Sequence, residues 1–295
     1  MCGIRTSARH RNSTLATAVA VALVLTCCTA GHAEPSGTPA PAGGTAPAGV
    51  VPTTASGSSG TSAPDLQPVV DGFVAAHAVP FSIVAVDLTS DTRAEHDASR
   101  PVLSASLYKL FVARELLDRI AAGTLRGSAP AGDGEGRTID DCIEAMLVLS
   151  DNACGVAGLG LVGGGALDAK LHAAGYVHTS LASPQETSAD DVALFLRRAY
   201  DQRDALYGLL QAQQVNDRLS LGLPPGTPFA HKTGDRREWA HDAGIFTAPR
   251  GDVLLVALSG PWPLPCCDAD HPGAAERDAF GQLGELAAAV YRAVR

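Results

Sequence analysis

Lysine is nearly missing from this chain. Of its 22 basic residues, only Lys109, Lys170 and Lys232 are lysine, and the other 19 are arginine. Lysine can give up its proton when its surroundings demand it, and arginine effectively cannot. Each retained lysine therefore raises a question about proton chemistry. The cation deficit is general: 31 acidic residues leave a net charge of −9. That excludes the basic face of a nucleic-acid binder. No C-x-x-C pair and no H-E-x-x-H occur, so a zinc site has no support. Seven cysteines in 295 residues are too few for a small disulfide scaffold. No metal or organic cofactor is expected.

The N-terminus reads as an export signal. Arg5, Arg9 and Arg11 precede an apolar run at 15–26 that is too short to span a bilayer as a mature helix. Gly31-His32-Ala33 offers small residues where a signal peptidase cuts, giving a signal over residues 1–33. The alternative is lipidation at Cys27 or Cys28, the one route by which this chain is expected to meet a membrane. Either way the mature protein works outside the cytoplasm, extracellular, periplasmic or held at the envelope, with a net charge of −12. Residues 35–64 carry no charge and are almost entirely Pro, Gly, Ala, Ser and Thr. Such a segment cannot bury enough apolar surface to offset its ordering entropy, so residues 34–64 are expected to be a linker. Residues 65–295 are then a single globular domain, expected to be monomeric.

Within that domain the patterns are mixed. Helices are expected at 66–79, 104–122, 139–149, 168–174, 190–209 and 276–295. Strands are expected at 81–88, 93–96, 228–233, 239–247 and 253–259, with Pro249-Arg250-Gly251 turning the last two into a hairpin. Strands from both chain ends with helices between them predict an α+β fold: one antiparallel sheet carrying an inserted all-helical region.

Three short elements carry chemistry. In Ser106-Leu107-Tyr108-Lys109 the serine and lysine are three apart on a helix and share a face, so the amine reaches the hydroxyl. A serine needs such a base to become a nucleophile, and a helix start supplies free N–H groups for an oxyanion. Ser150-Asp151-Asn152 follows an apolar run, and Lys232-Thr233-Gly234 lies on a strand candidate. Singly these are a surface helix, a turn and a strand edge. Together, with separations of 44 and 82 residues, they form the S-x-x-K, S-D-N and K-T-G set.

The chain therefore resembles the class A β-lactamases and penicillin-binding serine hydrolases over residues 66–295, including Leu221-Gly222-Leu223-Pro224 ahead of the third element. The resemblance implies a three-layer α/β/α fold of the β-lactamase/D,D-peptidase type. It implies Ser106 as acylated nucleophile, Lys109 as proton acceptor, and Ser150 as donor to the leaving nitrogen with help from Lys232. Asn152 and Thr233 would hold substrate, and Gly234 and Asp235 would line the site, with the N–H groups of Ser106 and Asp235 forming the oxyanion hole. The implied partner is a small-molecule β-lactam or a D-Ala-D-Ala-type peptide. The implied activity is β-lactam hydrolysis. The alternatives are a D,D-peptidase, a penicillin-binding sensor or sequestering protein that deacylates slowly, and an esterase-like relative.

Two departures bear on the mechanism. The family's deacylating glutamate lies on an Ω-shaped loop in an E-x-x-x-N context. Here the only glutamate between residues 153 and 231 is Glu186, and Asp190 stands four residues on. The loop is shortened, and Glu186 is either the remaining base or a charge near a helix start. Asp235 places a carboxylate directly after K-T-G, where it could repel an anionic substrate, and Arg236 and Arg237 either compensate it or are simply solvated. His241-Asp242 is expected to be a hydrogen-bonded structural pair, with a catalytic His241 as the alternative. Lys170 is expected to be a solvated helix residue. Among Cys142, Cys154, Cys266 and Cys267, export permits disulfides, and a Cys142–Cys154 bridge would brace the second motif.

Overall fold

A computed structural model describes residues 63–263 and 274–295. The signal, most of the linker, Cys27, Cys28, Cys266 and Cys267 lie outside the described residues. The order is α1 (Gln67–Ala76), β1 (Phe81–Asp87), β2 (Thr92–His96), β3 (Val102–Leu103), α2 (Tyr108–Ala121), α3 (Ile139–Val148), α4 (Asn152–Val162), α5 (Gly164–Ala173), β4 (Glu186–Thr187), α6 (Ala189–Gln202), α7 (Ala205–Gln211), β5 (Phe229–Arg236), β6 (Trp239–Ala248), β7 (Gly251–Ser259) and α8 (Ala274–Val294). Short 3-10 turns at Ala105–Leu107 and Leu219–Gly222 precede α2 and β5.

The main sheet runs β2-β1-β7-β6-β5, every pair antiparallel. It joins the two chain ends, as the strand pattern predicts. Both faces of the sheet are covered. Ile83, Ala85, Val253, Leu255 and Ala257 pack with α1 and α8 residues such as Phe73, Leu283 and Val290. Val84, Val86, Leu254, Val256 and Leu258 pack with the helical region through Phe111, Val192 and Leu196. Strands buried on both sides read as continuous apolar runs rather than alternating ones, which is how β1 and β7 appear in sequence. The result is the three-layer α+β architecture.

Three elements differ from their expected form. Residues 190–209 are two helices, because Arg203 takes a left-handed conformation (φ 48°) and Asp204 caps α7 by accepting from the N–H groups of Leu206 and Tyr207. The helix expected at 104–122 begins as a 3-10 turn carrying Ser106. Helix α4 has no counterpart in the sequence reading. Its glycines lower helix propensity, but two are required by packing. A Cβ on Gly155 would lie 2.6 Å from Lys109 Cε, and one on Gly158 would lie 2.9 Å from Val112 Cγ1.

Candidate active site

The strand pair β3–β4 delivers the chain to Ser106. Leu103 pairs with Glu186, and the Ser104 N–H donates to the Gln185 carbonyl at 3.0 Å. Ala105 is then held at φ 44°, a left-handed conformation costly for a residue with a Cβ. This turn places Ser106 between α2 and the end of β5. His241 braces it from below. Its Nε2 lies 2.8 Å from the Leu103 carbonyl oxygen, and its Nδ1 accepts from the Ser259 N–H at 3.2 Å. Those two bonds set a neutral tautomer, and full burial lowers its pKa to about 4.

Lys109 projects from the first turn of α2 and is fully buried. Its Nζ lies 3.1 Å from Ser106 Oγ, 2.7 Å from the Ser150 carbonyl oxygen and 2.8 Å from Asn152 Oδ1. Two of these partners can only accept. When Lys109 is neutral they take its two N–H groups, and its lone pair faces the nearest partner that can donate, the Ser106 hydroxyl, with the Ser150 hydroxyl further off at 3.5 Å. Burial lowers the Lys109 pKa to about 8, against the opposing pull of Asp151 and Asp235. With that value, about a tenth of the amine is neutral at pH 7.

Ser150 links the two lysines. It sits at φ 58° between α3 and α4, where its Oγ accepts from Lys232 Nζ at 2.8 Å and lies 3.5 Å from Lys109 Nζ. Lys232 also donates to the Thr233 carbonyl at 2.7 Å. Burial, reinforced by the charges of Lys109 and Arg218, holds Lys232 well below the usual lysine range. All four residues with proton-handling roles in the motif set therefore meet in one chain: Ser106, Lys109, Ser150, Lys232. Gly234 allows β5 to close on Ser106, since a Cβ there would lie 3.2 Å from the backbone nitrogens of Ser106 and Leu107.

Asp151 does not face the nucleophile. It caps α4 by accepting from the Cys154 N–H at 2.8 Å, and Arg137 grips it through both terminal nitrogens at 3.1 and 3.2 Å. The Arg137 contacts, the Cys154 N–H and the Lys109 charge hold the Asp151 carboxyl below the usual range against its partial burial. Cys142 and Cys154 are bonded across this segment, a pairing the sequence left open. Asp133 lies beside the same two sulfurs, but the bond between them leaves no thiolate to ligate a metal. A crosslink over 12 residues contributes about 3 kcal/mol. Cys142→Ser is therefore expected to lower Tm by roughly 6–12 °C, and reduction should lower wild type equally. A variant melting within 1 °C of wild type would contradict this brace.

Several expected pairings are corrected. His241 and Asp242 do not pair with each other, because neighbours on a strand point to opposite faces. Asp242 instead holds His231 across β5–β6, with Oδ1 2.9 Å from His231 Nδ1, and its Oδ2 accepts from the Leu219 N–H. His231 Nε2 reaches Asn216 Oδ1 at 2.9 Å, tying the loop before β5 to the strand. Asp235 is met by Arg218 at 2.5 Å, not by Arg236, which is exposed. Arg237 is exposed as well. Lys170 is not merely solvated but ion-paired with buried Glu115 at 2.5 Å. The segment before α6 is short: Ser180 and Glu186 exchange backbone hydrogen bonds at 3.0 and 2.9 Å, and Glu186 then enters β4.

A family model described as the Beta-lactamase enzyme family matches residues 64–292. No curated protein matches the chain in sequence. Among solved structures, the ancestral (GNCA) class A β-lactamase is 19% identical with a TM-score of 0.66, covering 78% of this chain and 100% of its own. A β-lactamase from Sphaerobacter thermophilus DSM 20745 is 18% identical with a TM-score of 0.67, covering 78% and 98%. PBP-A is 18% identical with a TM-score of 0.68, covering 77% and 95%. At these identities the likeness is one of fold.

Proposed function

The chain belongs to the beta-lactamase enzyme family, and from that premise we propose that it is an exported serine hydrolase opening β-lactam amides through an acyl-enzyme on Ser106. The observation that carries the proposal is the placement of Lys109, bound by two acceptor-only oxygens with Ser106 Oγ as its third partner. Neutral Lys109 takes the Ser106 proton as Oγ attacks the carbonyl carbon. The backbone N–H groups of Ser106 and Asp235 receive the developing oxyanion. Ser150 passes its proton to the leaving nitrogen as the C–N bond breaks, and it recovers one from the ammonium groups beside it. Asn152 and Thr233 position the substrate. Water then cleaves the ester and frees Ser106. Export, and the lipid anchor at Cys27 or Cys28 as its alternative form, rest on residues 1–33.

The alternative, a protein that acylates and deacylates slowly, is supported by a second observation. The Ser180–Glu186 closure leaves little chain to carry a carboxylate over the site, and Glu186 is held in the ladder opposite Leu103. A penicillin-binding protein or D,D-peptidase uses the same acylation apparatus. A PBP-A variant has been solved as an acyl-enzyme complex with penicillin G. Stopped-flow acylation with a chromogenic cephalosporin, followed by intact-protein mass spectrometry, separates the readings. Rapid turnover with no lasting adduct marks an efficient β-lactamase, and a long-lived adduct marks a penicillin-binding protein or peptidase. No adduct, with Ser106→Ala matching wild type, refutes the serine mechanism. Glu186→Gln is expected to leave the adduct lifetime within twofold, whereas a tenfold prolongation would make Glu186 the deacylation base.

A further inference from the structure

Beyond Gly234, strand β5 carries an unusual charge arrangement. Among the described residues β5 is the terminal strand of the sheet, and no described strand pairs with its outer edge. The close approach of Gly234 to the backbone nitrogen of Ser106 lays the edge at residues 233–235 along the nucleophile. An acyl donor whose carbonyl reaches Ser106 must run beside that edge. Side chains alternate along a strand. Lys232 points to Ser150, and Thr233 and Asp235 share the opposite face.

On that face a buried cation is already occupied. The Arg218 side chain is 3% exposed and bonds both Asp217, at 2.8 Å, and Asp235, at 2.5 Å. Its guanidinium carbon stands 4.1 Å from the centre of the Phe280 ring. Asp235 is 44% exposed, so its carboxylate is presented to whatever lies along the strand end. Two carboxylates thus share one guanidinium, and the charges of Lys109 and Lys232 also act on Asp235. A carboxylate on the acyl donor would have to displace Asp235 from Arg218 or sit beside a like charge, and either outcome selects against it.

We infer that the acyl donor is uncharged or cationic in the group lying along the end of β5, and that Asp235 is the residue enforcing this selection. The inference rests on Ser106 being the acylated nucleophile. It narrows the substrate class to amides or esters bearing an esterified, amidated or amino group at that position. Thr233 then meets a carbonyl oxygen there rather than a free carboxylate.

The test compares one chromogenic cephalosporin as its free carboxylate and as its neutral methyl ester. Ser106 acylation rates are measured for wild type, Asp235→Asn and Asp235→Ser. Asp235→Asn keeps the side chain's size and removes only its charge, so packing is preserved. Wild type is expected to react with the ester at least as fast as with the acid, and each substitution is expected to raise the acid-to-ester ratio at least tenfold. A wild-type preference for the acid of tenfold or more, or a ratio that neither substitution moves by more than twofold, overturns the inference while leaving the nucleophile intact. No adduct from either probe overturns both.

Discussion

Lys109→Arg is expected to slow acylation of Ser106 by about 10³–10⁴-fold, although it keeps the positive charge. General-base assistance alone accounts for roughly 10²–10⁴, and arginine holds its proton throughout the working range. The longer guanidinium also does not fit a site where Gly155 is needed to clear Lys109 Cε. The pH profile distinguishes a base from a mere charge. Because burial lowers the Lys109 pKa to about 8, the ammonium dominates below that value and the neutral base above it. Wild-type acylation should therefore rise about tenfold per pH unit below pH 7.5 and level off above about 8.5. In Lys109→Arg that rise should vanish. A profile with its midpoint near 6.5 in wild type would point to histidine instead.

Ser106→Ala is expected to reduce β-lactam opening to the uncatalysed background. Where catalytic groups act as a unit, removal of the nucleophile alone costs about as much as removing them all, on the order of 10⁶-fold. The fold should tolerate the change, because it deletes one oxygen whose only described side-chain bond is to Lys109. The readout is hydrolysis at saturating substrate together with the melting temperature. A melting temperature within about 2 °C of wild type, with hydrolysis lost, assigns the effect to chemistry. Residual turnover above a hundredth of wild type would place the nucleophile elsewhere.

What the sequence made legible was the part with strict chemical demands. Proton transfer needs a lysine beside a serine, and three residues of helix suffice to bring Ser106 and Lys109 together. The five strands of the main sheet were legible mostly from apolar, β-branched runs, whereas the two-residue strands β3 and β4 were too short to show a pattern. Helix α4 was not, since Gly155 and Gly158 argue against a helix locally and are explained only by Lys109 and Val112 lying across them. The partner of Asp235 was hidden for a different reason. Arg218 lies 17 residues away in a loop tied to β5 by the Asn216–His231 bond, whereas Arg236 and Arg237 are the cations next to Asp235 in sequence. The His231–Asp242 pair follows from strand register, which places Asp242 opposite Thr233, and not from the neighbouring letters His241 and Asp242. Local acid–base pairs thus read directly, while tertiary charge pairing had to await the fold.

The most direct test is to mix the wild-type protein with an excess of the chromogenic cephalosporin methyl ester, quench samples over time, follow the intact mass, and map the modified peptide. The predicted result is a mass gain of one acyl group from the probe, localised to Ser106, in samples quenched during turnover. An unchanged mass together with no hydrolysis, or a gain localised to any residue other than Ser106, would contradict the assignment of this site.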